Sequence, residues 1–355
     1  MKYFLDLFLS KKELTAGLAL LFISAFLIAG FRWVRLHGSQ AISAQETVHV
    51  YVDETTGLEE MSLKLEELGL IDSREEFLWA AKIFGWRTFL EGHYLVEEGF
   101  SYNEFLSKMA KGIQDPVSVT ILPGRTEGDI VDAVSRSLQF DSLSFQKILN
   151  DTSFLSNVGL QPKDVIGYLY PSTVKMYWTI TPKDALKRIL EVFNKSVIEP
   201  YQERFEELDK TVDEILTLAS IVQWEARKEE ERDVISGLYW NRLQKGMRLQ
   251  ADPTVNFAVG ERRRLLYEDY EVEHPYNTYL YAGLPPGPIT NPSLSSIEAA
   301  LYPAEHEYLF MVASPDGSHA FSETYEEHLR KSEVWREWLQ KQYRIKRRRE
   351  AKANQ

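Results

Sequence analysis

The segment Leu216–Pro253, LTLASIVQWEARKEEERDVISGLYWNRLQKGMRLQADP, decides how the chain is read. Ile215, Leu218, Ala219 and Val222 recur at the spacing of one helical face, and the next members of that stripe are Glu225 and Ala226. A carboxyl on such a face loses hydration, which raises its pKa and lets it hold a proton near neutral pH. The alternative is a glutamate at the edge of the stripe that turns outward or pairs with Arg227, Lys228 or Arg232. Glu229, Glu230, Glu231 and Asp233 form a charged run that reads as solvated and as the start of a second helix. There Val234, Ile235, Leu238 and Leu243 take core spacing, Asn241 lies near the Leu238 face, and Gly246 is the stop.

Downstream, Leu249–Val259 sets Gln250, Asp252, Thr254 and Asn256 among apolar neighbours. Amides, hydroxyls and a carboxylate at close spacing are the groups that hydrogen-bond sugar hydroxyls and N-acetyl amides. Asp252-Pro253 is also a natural helix start, with Asp252 as cap and Pro253 at the first position, so both roles stay open for Asp252. Tyr276–Tyr279 (YNTY) and Gly283–Gly287 (GLPPG) form a loop of aromatic rings and rigid turns. Rings stack on pyranose faces and prolines pre-order a wall, although an ordinary Pro-Gly surface loop would look the same. Ser295 with Glu298 predicts a capping box for a helix through Ala300. Tyr308–Ser314 and His319–Thr324 predict a hairpin around Asp316-Gly317. Tyr325–Gln342 is an amphipathic helix, and the basic tail, 343–355, reads as a disordered soluble end.

Upstream, Leu14–Phe31 (LTAGLALLFISAFLIAGF) carries no charge and is about long enough to cross a bilayer, with Lys11 and Lys12 before it and Arg32 and Arg35 after. It reads as a retained transmembrane helix, 14–31, following a short cytoplasmic N-terminus, 1–13. A cleavable signal peptide is the rival, but the small-residue site at Ile42–Ala44 lies far beyond the apolar core. Residues 32–47 read as a polar tether. In 48–115 the pattern is a βααβ subdomain followed by a helix: Val48–Val52, Leu58–Leu70, Ser73–Phe84, His93–Val96, Ser101–Ala110. The larger region, 116–342, opens with the strand Val117–Leu122, the turn Pro123-Gly124 and the helix Glu127–Leu138. Helices at Pro182–Tyr201 and Glu203–Leu216 lead into the opening segment. The fold class expected is α+β.

The chain has 355 residues, 44% of them apolar, a formal net charge of −12 and no cysteine. It can bury a substantial core, the charge argues against nucleic acid as a partner, and disulfides and thiolate metal sites are excluded. No HExxH, GxSxG or phosphate-cradling glycine loop occurs, so no metal or cofactor is expected.

ASIVxxEA at 219–226, ERD at 231–233, NRLxxGMxLQxDPTV at 241–255, YNTY at 276–279, GLPPGPIxNP at 283–292 and HxFSxTYEEH at 319–328 together resemble the ordered blocks of the MltG/YceG-like endolytic murein transglycosylases. The resemblance covers the chain after the hydrophobic segment. It implies a LysM-like subdomain at 48–115, a catalytic domain at 116–342, and a membrane-anchored enzyme whose catalytic domain faces the periplasm or cell exterior from the inner membrane. The implied reaction cleaves the MurNAc–GlcNAc bond of nascent peptidoglycan to 1,6-anhydro ends, terminating glycan strands. The implied partners are those strands, the membrane and a peptidoglycan synthase. Relatives carry acids at both the Gln223 and Glu225 positions, so by resemblance Glu225 is the catalytic group here. Asn241, Gln250, Asp252, Thr254, Tyr276, Asn277, Thr278, Tyr279, Leu284, Pro285, Asn291 and His319 are the implied substrate-binding residues. The family's usual acids are missing at the Pro123-Gly124 turn, at Ile166 and at Ser172. A glycosidase of the ordinary kind needs two carboxylates. A lytic transglycosylase needs one, because the substrate's own C6 hydroxyl attacks. Two alternatives stay open: a lysozyme-like hydrolase that recruits Asp252, and an inactive murein-binding scaffold.

Overall fold

In the computed structural model, residues 11–38, 41–44 and 46–353 are described. Residues 1–10 of the expected N-terminal segment, part of the tether and the last two residues of the basic tail lie outside them. The chain divides into two compact units: Met1–Val117 with Tyr177–Thr179, and Ser118–Met176 with Ile180–Gln355.

The first unit begins with α1 (Lys11–His37), long and apolar enough to cross a bilayer. Its apolar side chains, such as Leu21, Phe22, Phe26 and Phe31, are exposed, as a lipid-facing helix requires. The expected tether differs from expectation. α1 runs on to His37, Leu36, Ile42 and Ala44 are buried in the core of this unit, and Ser43 N–H donates to Leu70 O at 2.9 Å. Arg35 pairs with Glu76 and lies over the Trp79 ring. The physical reason is in the composition: apolar residues within a short polar stretch leave water when a core is in reach.

Then follow β1 (Val48–Val52), β2 (Thr56–Gly57), α2 (Leu58–Glu67), α3 (Arg74–Phe84), β3 (Thr88–Phe89), β4 (Gly92–Val96) and α4 (Tyr102–Ala110). β1 pairs antiparallel with β4, Val50 opposite Tyr94, and β2 pairs with β3. Alternation along β1 sends Val50 and Val52 into a core with Met61, Leu65, Phe77 and Phe105. Ser73 accepts from Glu76 N–H, and Ser101 with Glu104 closes a capping box, which fixes where α3 and α4 start.

The second unit comprises β5 (Val117–Ile121), α5 (Glu127–Arg136), α6 (Ser142–Leu149), α7 (Thr152–Asn157), α8 (Val165–Tyr168), β6 (Ser172–Met176), α9 (Pro182–Phe193), α10 (Glu199–Glu207), α11 (Val212–Glu225), α12 (Arg232–Gln244), α13 (Asp252–Val259), α14 (Leu294–Leu301), β7 (Phe310–Ala313), β8 (His319–Ser322) and α15 (Tyr325–Ala353). β5 pairs with β6, and β7 with β8 as an antiparallel hairpin. α11 is the central element. Every residue from Ile215 to Val222 is buried, so the helix is enclosed on all sides by α12, α13, α14 and α8.

Four local expectations are corrected. The break before α11 falls at Leu208–Thr211, where Asp209 takes φ 50° and Thr211 closes a capping box with Glu214; Pro200 sits harmlessly in the first turn of α10. Ser293, rather than Ser295, caps α14. Ala251 is the cap of α13 and Asp252 its first helical residue, because the Asp252 carboxylate is engaged elsewhere. The basic tail is helical as far as Ala353: Lys, Arg, Glu and Ala are good helix formers, and cations suit a helix C-terminus.

Candidate active site

Three successive side chains at the end of α11 leave in different directions, about 100° apart as helical geometry dictates. Gln223 Oε1 accepts from Ser293 N–H at 3.0 Å and from Ser296 Oγ at 2.9 Å, holding the start of α14. Trp224 Nε1–H donates to Gly124 O at 3.0 Å. Glu225 is the last residue of the helix, half-buried, and no described residue hydrogen-bonds to its carboxyl. Of the cations that could have drawn it outward, Lys228 pairs with Asp316 and Arg232 with Glu229 and Ser295, and Arg227 is exposed. Burial pushes the Glu225 carboxyl up to about 7, the charge of Asp252 adds to that, and Arg242 pulls it back.

Around it the polar groups are already organised. Asp252 Oδ1 accepts from the Tyr279 hydroxyl at 2.7 Å and from the Tyr270 hydroxyl at 3.2 Å, and the two rings meet edge to face with centroids 4.6 Å apart. Burial, and then Asp252, push the Tyr279 hydroxyl far above its ordinary range, so it remains a donor. Arg242 is buried and gathers backbone: Nε donates to Leu309 O at 2.6 Å, and Nη1 to Leu249 O at 2.7 Å and Arg248 O at 3.2 Å. Its contact to Gln250 Oε1 is longer, 3.4 Å, and Gln250 takes φ 50°. The Tyr239 hydroxyl is buried without a hydrogen-bond partner among the described residues, and burial together with Glu225 pushes its pKa up.

The sequence-derived candidates separate into two groups. Glu225, Asp252, Tyr279 and Gln250 belong to the cluster around Arg242. The others hold the walls. Asn241 Nδ2 donates to His306 O and Tyr308 O. Thr254 and Thr278 share a buried hydroxyl–hydroxyl bond of 2.8 Å, and Thr278 Oγ1 accepts from Ala251 N–H. Asn277 Nδ2 donates to Tyr270 O and Val272 O, while its Oδ1 accepts from Tyr279 N–H. Asn291 bridges Leu122 O, Leu169 O and Arg125 N–H. Pro285 is buried, Leu284 packs on the core, and His319 is held by Glu231. Tyr276 meets Phe257 at a tilt of 34°, 4.5 Å between centroids, and both line a cavity. Arg242, Tyr239 and Tyr270 were not singled out from the sequence. Arg242 carried the same signal as Glu225, a charge four residues beyond Leu238 on an apolar face. Among the described residues no group of three His, Asp or Glu side chains gathers as a metal site would need.

An unpaired, half-buried carboxyl beside a tyrosine-held carboxylate can serve acid–base chemistry. Residues 50–334 match the YceG-like family model, and the chain belongs to that family. It is 29% identical over 311 residues to a Bacillus subtilis protein named endolytic murein transglycosylase, covering 82% of this chain and 86% of that one. A Streptococcus pneumoniae protein of the same name is 29% identical over 320 residues, of whose length this chain spans 58%. A crystal structure of a YceG-like protein from Listeria monocytogenes matches 81% of this chain and 99% of its own with TM-score 0.58 and 30% identity.

Proposed function

We propose that the protein is a membrane-anchored endolytic murein transglycosylase that uses Glu225 alone as acid and then base. The carrying observation is the unpaired Glu225 carboxyl, pushed up to about 7 by burial, facing an Asp252 whose carboxylate is already committed to two tyrosine hydroxyls. Near neutral pH Glu225 can donate its proton to the glycosidic oxygen as the bond from the muramoyl C1 breaks. The muramoyl C6 hydroxyl then attacks C1, its proton passing to the Glu225 carboxylate. The products are a 1,6-anhydro-muramoyl end and a free GlcNAc hydroxyl, with no water consumed. An intramolecular nucleophile has a high effective concentration, so no second carboxylate is needed. The names of the relatives support murein as substrate. α1 supports a membrane anchor, and the names of the relatives support a site on the side of the membrane where murein lies. The arrangement of β1, α2, α3 and β4 supports a LysM-like reading of the first unit.

The test is mass spectrometry of fragments released from purified sacculi by the full-length protein. Anhydro ends support the proposal. Reducing ends would transfer the reaction to the hydrolase class, and binding without fragments would favour an inactive scaffold.

A further inference from the structure

A cavity of about 410 Å³, lined by Trp224, lies between the start of α5 and the C-terminal end of α13. Its walls combine three rings, Trp224, Phe257 and Tyr276, with the Arg262 guanidinium, which lies 4.9 Å over the Trp224 ring. Two carboxylates, Glu127 and Glu261, also line the cavity. Glu261 pairs with Arg263, Glu127 keeps its charge and accepts from Gln146 Nε2 at 2.5 Å, and Lys163 pairs with Asp164. Among the described residues no carboxylate pairs with Arg262, which is exposed at the rim. Ile166 lines the same wall and contributes no charge.

The chemistry of these walls does not match a bare glycan. In intact murein the lactyl carboxyl of each muramoyl unit is tied up as an amide, so the glycan backbone is neutral and gains little from an unpaired cation, whereas the peptide branches carry carboxylates and small apolar side chains. The direction matches a branch as well, since Trp224 and Glu225 leave α11 about 100° apart. Asn256 and Phe257, in the cavity wall, stand on α13 one turn beyond Asp252. We propose that this cavity receives the peptide branch of a muramoyl unit next to the cut, its carboxylate paired with Arg262 and its apolar side chains packed on Trp224, Phe257 and Tyr276. Arg262 is then a specificity-determining residue, and the inference rests on the murein reading above.

The test is a binding measurement that needs no turnover. Full-length Glu225→Gln protein in detergent micelles is titrated calorimetrically with muropeptide-bearing glycan fragments and with the same fragments after carbodiimide amidation of their peptide carboxylates. A carboxylate–guanidinium pair at an exposed rim predicts about 3- to 5-fold tighter binding of the unamidated fragments. Arg262→Ala erases that difference and leaves affinity for amidated fragments unchanged, which also reports that the variant is folded. Arg262→Lys keeps part of the difference, and Arg262→Glu reverses it. Equal affinity in the parent, or a preference that survives Arg262→Ala, overturns the proposal. Failure of wild-type protein to cut sacculi would refute the reaction while this comparison still decides what the cavity binds.

Discussion

The Tyr279 hydroxyl donates to Asp252 Oδ1 at 2.7 Å, so the carboxylate nearest in character to a second catalytic acid is held as a hydrogen-bond acceptor. Tyr270 donates to the same oxygen, and Asp252 stands in the first turn of α13, where the helix favours negative charge. Its effect on the reaction is then electrostatic: it disfavours ionisation of Glu225.

Asp252→Asn should therefore shift the pH profile of murein cleavage. If, as proposed, Glu225 acts while protonated, kcat/KM should fall as pH rises through about 7. Removing the Asp252 charge lowers the Glu225 pKa, and the basic limb moves to lower pH. Burial, the larger cause, remains, so the limb stays above the ordinary carboxylate value. A pH–rate profile decides: an unchanged limb with a uniform loss of rate would mean that Asp252 acts on the substrate directly.

Tyr279→Phe leaves Asp252 with the longer Tyr270 bond alone. Losing one hydrogen bond to a charged group should cost about 1.5–3 kcal/mol, divided between stability and transition-state binding. Thermal unfolding and kcat/KM measured on the same preparation separate the two shares. A full-rate, fully stable variant would show that Tyr279 does not hold the acid.

How much of this was legible in the sequence depends on the kind of signal. The α11 stripe and the charge at its end could be read because periodicity reports which face is buried. The role of Asn241, Asn277, Thr278 and Asn291 could not, because an amide or hydroxyl serves a sugar and a backbone carbonyl with the same atoms, and only direction tells them apart. Arg242 was hidden because its partners, Leu309 O and Leu249 O, are backbone atoms that no side-chain pattern encodes. The tether was misread because Leu36, Ile42 and Ala44 are too few to form a pattern, though each is buried.

Asn291→Ala tests that distinction. The buried amide joins the turn after β5, the segment after α8 and the loop before α14 through three hydrogen bonds. Its loss should destabilise the second unit by about 2–4 kcal/mol. KM of the protein that remains folded should be near wild type. A large rise in KM with unchanged thermal stability would return Asn291 to the substrate-binding set.

Arg242→Met removes a buried cation and leaves the Leu309, Arg248 and Leu249 carbonyls without their donor. A loss of about 2–4 kcal/mol is expected from the stranded carbonyls, with methionine filling part of the volume. Arg242 also lowers the Glu225 pKa, so its removal should carry the basic limb of the pH profile upward, opposite to Asp252→Asn. Opposite shifts in the two variants identify Glu225 as the titrating group; shifts in the same direction would assign the limb to another residue.

Glu225→Gln should lower cleavage by about 10²–10⁴-fold, the contribution of a general acid, since Asp252 is already held by two tyrosine hydroxyls. The same substitution should stabilise the fold in a pH-dependent way. The unfolded chain ionises Glu225 near its ordinary 4.5, whereas the folded protein holds the proton up to about 7. The folded state's advantage is therefore complete below the unfolded value and is lost as pH rises through the folded one, reaching roughly 3 kcal/mol at alkaline pH. Glutamine does not titrate. The Tm of the variant relative to wild type should thus be higher at about pH 8.5 than at about pH 4, as read by differential scanning fluorimetry. A Tm difference that is flat across that range would mean that Glu225 ionises freely in the folded protein, and the proposal that it serves as the proton donor would fall with it.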